Sequence, residues 1–167
     1  MLKRLPSVLV VDDDDRVREA VASMLRDAGF RVATAASGWE ALDLLDQREF
    51  DLAVVDVGLS GDLTGLDLIR CERAKRPQLR CLFISGFADP VVDDPERDDF
   101  VRKPFRLGEL LGCAWELLQR KVSETPIDLP RRRERWLIQA ARVDCLRRER
   151  TRSKPTLVAT PAIEPVS

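Results

Sequence analysis

Apolar residues in the first 120 positions follow two alternating rhythms. Continuous, β-branched runs occur at Ser7-Val8-Leu9-Val10-Val11, Leu52-Ala53-Val54-Val55-Asp56 and Arg80 to Ser85. Runs of this kind fit strands buried on both faces, as in a parallel sheet. Arg31 to Ala35 and the brief Phe100-Val101-Arg102 read as two further strands. Between them the spacing changes to threes and fours. Val17, Val21, Met24, Leu25 and Ala28 share one helical face, and Gly29 is a natural stop. Ser37-Gly38-Trp39-Glu40 has the form of a capping box opening a helix through Ala41, Leu42, Leu44 and Leu45. Gly58, Gly61 and Gly65 mark a loop, after which Thr64 can cap a helix carrying Leu66, Leu68 and Ile69. Arg106 to Gln119 predicts the last helix of this region, with Leu107, Leu110, Leu111, Ala114, Trp115 and Leu118 inward.

Strand and helix thus alternate five times, with one weak member. Residues 86–99 carry two prolines, six carboxylates and few apolar side chains. Pro95 would interrupt any helix begun at Pro90, so the fourth helix is expected to be short or disordered. The alternation predicts an α/β domain over residues 1–120, with a doubly wound, five-stranded parallel sheet. In such a sheet, ligands bind beyond the carboxyl ends of the strands.

The last 47 residues have a different pattern. Residues 121–130 read as a linker, 131–152 as one basic amphipathic helix, and 153–167 as a disordered tail rich in proline and small residues. The helix offers Trp136, Leu137, Ala140, Ala141, Val143, Cys145 and Leu146 as apolar positions among arginines. Residues 1–120 hold 17 Lys and Arg against 23 Asp and Glu, a net of −6, whereas residues 121–167 have a net of +5. The near-neutral total therefore hides an acidic body and a basic tail. The tail is read first as a helix that packs on the body or on a partner. A nucleic-acid arm built on Arg131-Arg132-Arg133 and Arg147-Arg148 is the competing reading.

Composition narrows the chemistry. The chain contains no histidine, which removes Ser-His-Asp and Cys-His nucleophile systems in their usual form, imidazole metal ligands and phosphohistidine carriage. Cys71, Cys81, Cys113 and Cys145 are scattered without a C-x-x-C pair and are expected as free thiols. No apolar run approaches the length of a membrane span, and the N-terminus lacks a signal-peptide pattern. A cytoplasmic protein without a membrane anchor is expected.

Asp12 and Asp13 follow the first apolar run, Asp56 closes the third, Ser85 closes the fourth, and Lys103 follows the fifth. Singly, each fits a turn or a cap. Together, on one edge of a parallel sheet, three carboxylates would repel one another, and a hard divalent cation such as Mg²⁺ would relieve this. A cation, a lysine and a hydroxyl around a free carboxylate suit phosphoryl transfer, with Asp56 as the acceptor.

The segments Val8-Leu9-Val10-Val11-Asp12-Asp13, Leu52 to Asp56, Phe83-Ile84-Ser85-Gly86 and Lys103-Pro104-Phe105 resemble the receiver domain of two-component response regulators over about residues 7–120. The resemblance implies a flavodoxin-like receiver fold. It also implies Asp12, Asp13, Asp56 and the backbone carbonyl of Gly58 as Mg²⁺ ligands and Asp56 as the phosphoacceptor. Ser85 would be the switch hydroxyl, Lys103 the phosphoryl contact, Lys103-Pro104 a cis peptide and Phe100 the aromatic switch residue. The implied partners are a histidine kinase or phosphotransfer protein and an unidentified downstream protein, with homodimerisation left open. Such a domain catalyses its own phosphorylation and dephosphorylation without turning over a separate substrate. It would signal by phosphate-dependent binding or act as a phosphate sink. The alternatives are a transcription regulator that binds DNA through the basic tail, and a degenerate receiver that binds partners without phosphorylation. The loop from Gly58 to Gly65 departs from the family pattern in lacking proline, and the Ser85 to Lys103 interval is short.

Overall fold

The computed structural model describes residues 4–86, 93–121 and 130–152. Five strands form one parallel sheet: β1 (Ser7–Val11), β2 (Arg31–Ala35), β3 (Leu52–Asp56), β4 (Arg80–Ser85) and β5 (Asp98–Arg102), in the order β2-β1-β3-β4-β5. β5 begins two residues before the stretch expected from its apolar content. Asp98 and Asp99 join it because they pair with Cys81 and Leu82 of β4. The continuous apolar runs are those that need cover on both sides, and all five residues of β1 and of β3 are buried.

That cover comes from α1 (Asp15–Asp27), α2 (Gly38–Gln47), α3 (Gly65–Lys75), α4 (Leu107–Gln119) and α5 (Pro130–Arg152). On one face α1 and α4 contribute Val21, Leu25, Leu110, Ala114 and Leu117 to a core with Val8, Val10, Val54 and Leu82. On the other, α2 and α3 contribute Ala41, Leu42, Leu45, Leu68 and Ile69 to a core with Leu9, Val11, Val55 and Phe83. Val143 of α5 belongs to this second core.

Local chemistry sets the helix ends. Asp14 caps α1 by accepting hydrogen bonds from Arg16 N and Val17 N, and Gly29 follows the helix in the left-handed region at φ 89°. Ser37 caps α2 through Glu40 N, while the Glu40 carboxylate reaches back to Ala36 N at 2.7 Å rather than to the cap residue itself. Thr64 caps α3 through Asp67 N.

Two expected core residues of α4 lie elsewhere. Leu107 is 48% exposed, and Trp115 is 39% exposed with its ring centroid 4.6 Å from that of Phe30. In α5, Leu137, Ala141 and Cys145 face out instead of packing, while Trp136, Ala140 and Val143 are the packed positions. The four cysteines are free. Twelve positions separate β4 from β5, and no helix is present there among the described residues. The stretch expected as a short or disordered fourth helix falls partly at 87–92, outside the described residues, as do 122–129 of the linker and the 153–167 tail.

Candidate functional site

The parallel register carries the ends of β1, β3, β4 and β5 to one edge, and the polar residues there come from sequence-distant strands. Asp12 and Asp13 follow β1, Asp56 ends β3, Ser85 ends β4, and Lys103 follows β5. Backbone bonds hold these ends together: Val57 N donates to Ile84 O at 2.9 Å, and Lys103 N to Ser85 O at 2.7 Å. The Lys103-Pro104 peptide is cis.

Lys103 is the electrostatic centre. Its Nζ donates to Asp12 Oδ2 at 2.9 Å and to Asp56 Oδ1 at 3.1 Å. Burial opposes the ammonium charge, but these two carboxylates outweigh it and hold the Lys103 pKa above its ordinary value. Asp56 shifts upward. Burial is the largest cause, Asp12 adds repulsion, and Lys103 together with an N–H bond from Gly58 offsets them only in part. Asp13 is exposed and shifts downward, chiefly because Ser60 hydrogen-bonds its carboxylate; Ser60 N lies 3.1 Å from Asp13 Oδ2. Asp12 is otherwise fixed from its own segment: Asp14 N donates to its Oδ1 at 2.9 Å, and Arg18 Nη1 donates to its carbonyl at 2.8 Å.

One oxygen from each of Asp12, Asp13 and Asp56 lies within 4.8 Å of the other two. Three carboxylates face one lysine, so the cluster keeps excess negative charge at the sheet edge. Hard oxygen donors at this spacing fit a small divalent cation. Gly58 lies beside Asp56, where an added Cβ would come 3.4 Å from Asp56 Oδ2. Ser85 is buried one position beyond Ile84, the register partner of Asp56. Phe100 stands apart from the cluster: it pairs with Phe83 in the sheet and packs on the α2–α3 core.

Three contributors were not singled out from sequence. Ser60 braces Asp13 from a loop with no pattern that would pick it out. Arg18 looked like an ordinary polar position of α1. Gly65 had a visible signal, a glycine at the first turn of an apolar helix. Its reason is steric: a Cβ there would sit 2.1 Å from the Asp56 carbonyl oxygen and 2.9 Å from Val55 Cγ1. The start of α3 therefore lies directly against the backbone that presents Asp56.

Residues 8–114 match the family model described as the response regulator receiver domain. The chain belongs to that family. Response regulator MprA of Mycobacterium sp. strain KMS is 37% identical over 128 residues, covering 74% of this chain and 55% of the relative. Transcriptional regulatory protein PrrA of Mycobacterium tuberculosis is 33% identical over 162 residues, covering 86% of this chain and 67% of the relative. This receiver thus spans about half the length of MprA. Among solved structures, response regulator TrrA of Thermotoga maritima in complex with Mg²⁺-BeF is 27% identical with a TM-score of 0.61, covering 68% of this chain and 99% of that one. The five-stranded parallel sheet of this receiver is the fold of those domains. No helix among its described residues is long and apolar enough to cross a membrane.

Proposed function

We propose that this receiver accepts a phosphoryl group on Asp56 from a histidine kinase or phosphotransfer protein, in a reaction that requires Mg²⁺. The observation that supports it most is Lys103 Nζ reaching both Asp12 and Asp56 inside the three-carboxylate cluster. Mg²⁺ held by Asp12, Asp13, Asp56 and the Gly58 carbonyl would neutralise charge on the transferring oxygens. In the transfer, an Asp56 carboxylate oxygen forms a bond to phosphorus. The phosphorus–nitrogen bond of the donor histidine breaks, and its electron pair stays on the imidazole nitrogen, which takes up a proton. Lys103 leaves its carboxylate partners to meet the phosphoryl oxygens, and the Ser85 hydroxyl donates to one of them. Phe100 answers by repacking, since phenylalanine has no hydroxyl to hydrogen-bond.

The same chemistry run with water removes the phosphoryl group, so the domain acts on itself and on no foreign substrate. It is a cytoplasmic signalling protein that works by phosphate-dependent binding or as a phosphate sink. The DNA-binding alternative gains no support from α5, where Arg147 and Arg150 already contact the body. Asp56→Asn is expected to abolish acid-labile phosphate uptake from a small phosphodonor in Mg²⁺, and chelation to suppress it in the wild type. Labelling of the variant equal to wild type sinks the assignment.

A further inference from the structure

α5 has two stripes of side chains. Trp136, Ala140, Val143, Arg147 and Arg150 turn towards the body, with Val143 in the α2–α3 core and Arg147 donating to Asp46 at 2.6 Å and Asp43 at 3.4 Å. Glu134, Ile138, Ala141, Cys145 and Arg148 follow the same alternation of four- and three-residue steps and are exposed at every position. At about 100° of turn per residue, the two stripes stand on opposite sides of the helix. The body covers the first and leaves the second uncovered among the described residues.

The outer stripe is apolar where a solvated helix needs nothing apolar. Ile138 is 70% exposed, more than any other large apolar side chain among the described residues, and Leu137 beside it is 54% exposed. Ala141 and Cys145 continue the apolar stretch, and Glu134 and Arg148 close it with opposite charges. Small Ala141 at its centre lets another helix approach closely.

Charge selects the occupant and its direction. Ala141 lies midway between Glu134 and Arg148, so a two-fold axis at Ala141 makes the stripe complementary to itself. In an antiparallel pair, Glu134 of one copy comes beside Arg148 of the other at both ends, and Leu137 comes opposite Cys145. A parallel pair would set Glu134 against Glu134 and Arg148 against Arg148, two like-charge contacts. Arg142 flanks the stripe and meets its own symmetry mate near the axis. The stretch from Glu134 to Arg148 is only about 21 Å long. A contact of this size suits a weak, concentration-dependent pairing and not an obligate one.

We propose that the outer face of α5 is a self-association surface on which a second copy of this chain docks antiparallel, through Leu137, Ile138, Ala141 and Cys145, with Glu134–Arg148 pairs at both ends. The proposal is independent of the chemistry assigned to Asp56.

Sedimentation equilibrium of the full chain from about 10 µM to 1 mM spans the range in which so small a contact assembles. Wild type is expected to show a monomer–dimer equilibrium there. Ile138→Glu, a change at an exposed position, is expected to weaken it by about tenfold or more. Glu134→Arg and Arg148→Glu are each expected to weaken it, and the double variant to restore it. A wild type that stays monomeric throughout leaves the face to another partner and overturns the proposal, as does a dimer that Ile138→Glu does not weaken. A dimer indifferent to both single charge changes, or one that the double variant fails to restore, overturns the antiparallel arrangement.

Discussion

Lys103 is counter-ion to Asp12 and Asp56 at once, so its removal leaves two mostly buried carboxylates facing each other. Lys103→Gln is expected to raise the Asp56 pKa further and to slow phosphate uptake about 100-fold, the scale of one lost charge-stabilising donor. Uptake kinetics at fixed Mg²⁺ test this, and a change under threefold contradicts it. Gly65 gives a second expectation. An added methyl collides with the Asp56 carbonyl, so Gly65→Ala should destabilise the chain by about 1–3 kcal/mol and impair Asp56 chemistry together. Denaturant unfolding paired with labelling checks both. At this scale the site was legible because each charged or hydroxyl residue interrupts an apolar run at its carboxyl end. A strand buried on both faces tolerates such a residue only where it stops. Ser60 was not legible as a site residue, because its role depends on a loop contact that leaves no periodicity; Gly65 was visible as a glycine in a helix's first turn, but not as the residue packed against Asp56.

The β4–β5 crossover has no helix among its described residues, and its stretch was expected to hold at most a short one. Its acidic composition carries no mark of burial, yet Asp94 and Arg97, with Asp98 at the start of β5, are buried around Arg73. Charged residues are rarely buried unless paired, and sequence alone could not show the pairing. Burial is the largest influence on Asp98 and outweighs Arg73, lifting its pKa from 3.8 to about 6. A carboxyl raised in the folded state binds its proton more tightly there than in the unfolded chain. Its contribution is thus least favourable above pH 6 and improves as pH falls from about 6 towards 4, opposite to an ordinary salt-bridged aspartate. Carbon-13 titration of the Asp98 carboxyl should show a midpoint near 6, and a midpoint below 4.5 would refute this. Two helix caps, by contrast, were plain in sequence, since Ser37 and Thr64 act through neighbours three residues on.

For the whole molecule, the sheet and its two cores follow from binary pattern, because burial on both faces forces continuous apolar strands. The seat of α5 does not. Sequence put a helix that packs on the body or a partner ahead of a nucleic-acid arm, but a stripe of Trp, Ala and Val with two arginines does not name the surface it meets. Magnitudes rank its anchors. Burying Val143 is worth about 1.5–3 kcal/mol. The Arg147 pairs are partly exposed, Asp43 being 71% so, and are worth about 0–1 kcal/mol. Arg147→Ala should therefore shift the unfolding midpoint slightly and Val143→Ala clearly more. The reverse order in thermal melts would show that charge, not burial, holds the helix.

Asp12 and Lys103 touch across 91 positions of chain. During synthesis the carboxylates therefore emerge long before the lysine that balances them. A ribosome-bound fragment ending before β5 holds the three carboxylates without the lysine that balances Asp12 and Asp56. Under the proposed function, phosphate uptake therefore reaches its full rate only once the last strand has joined the sheet.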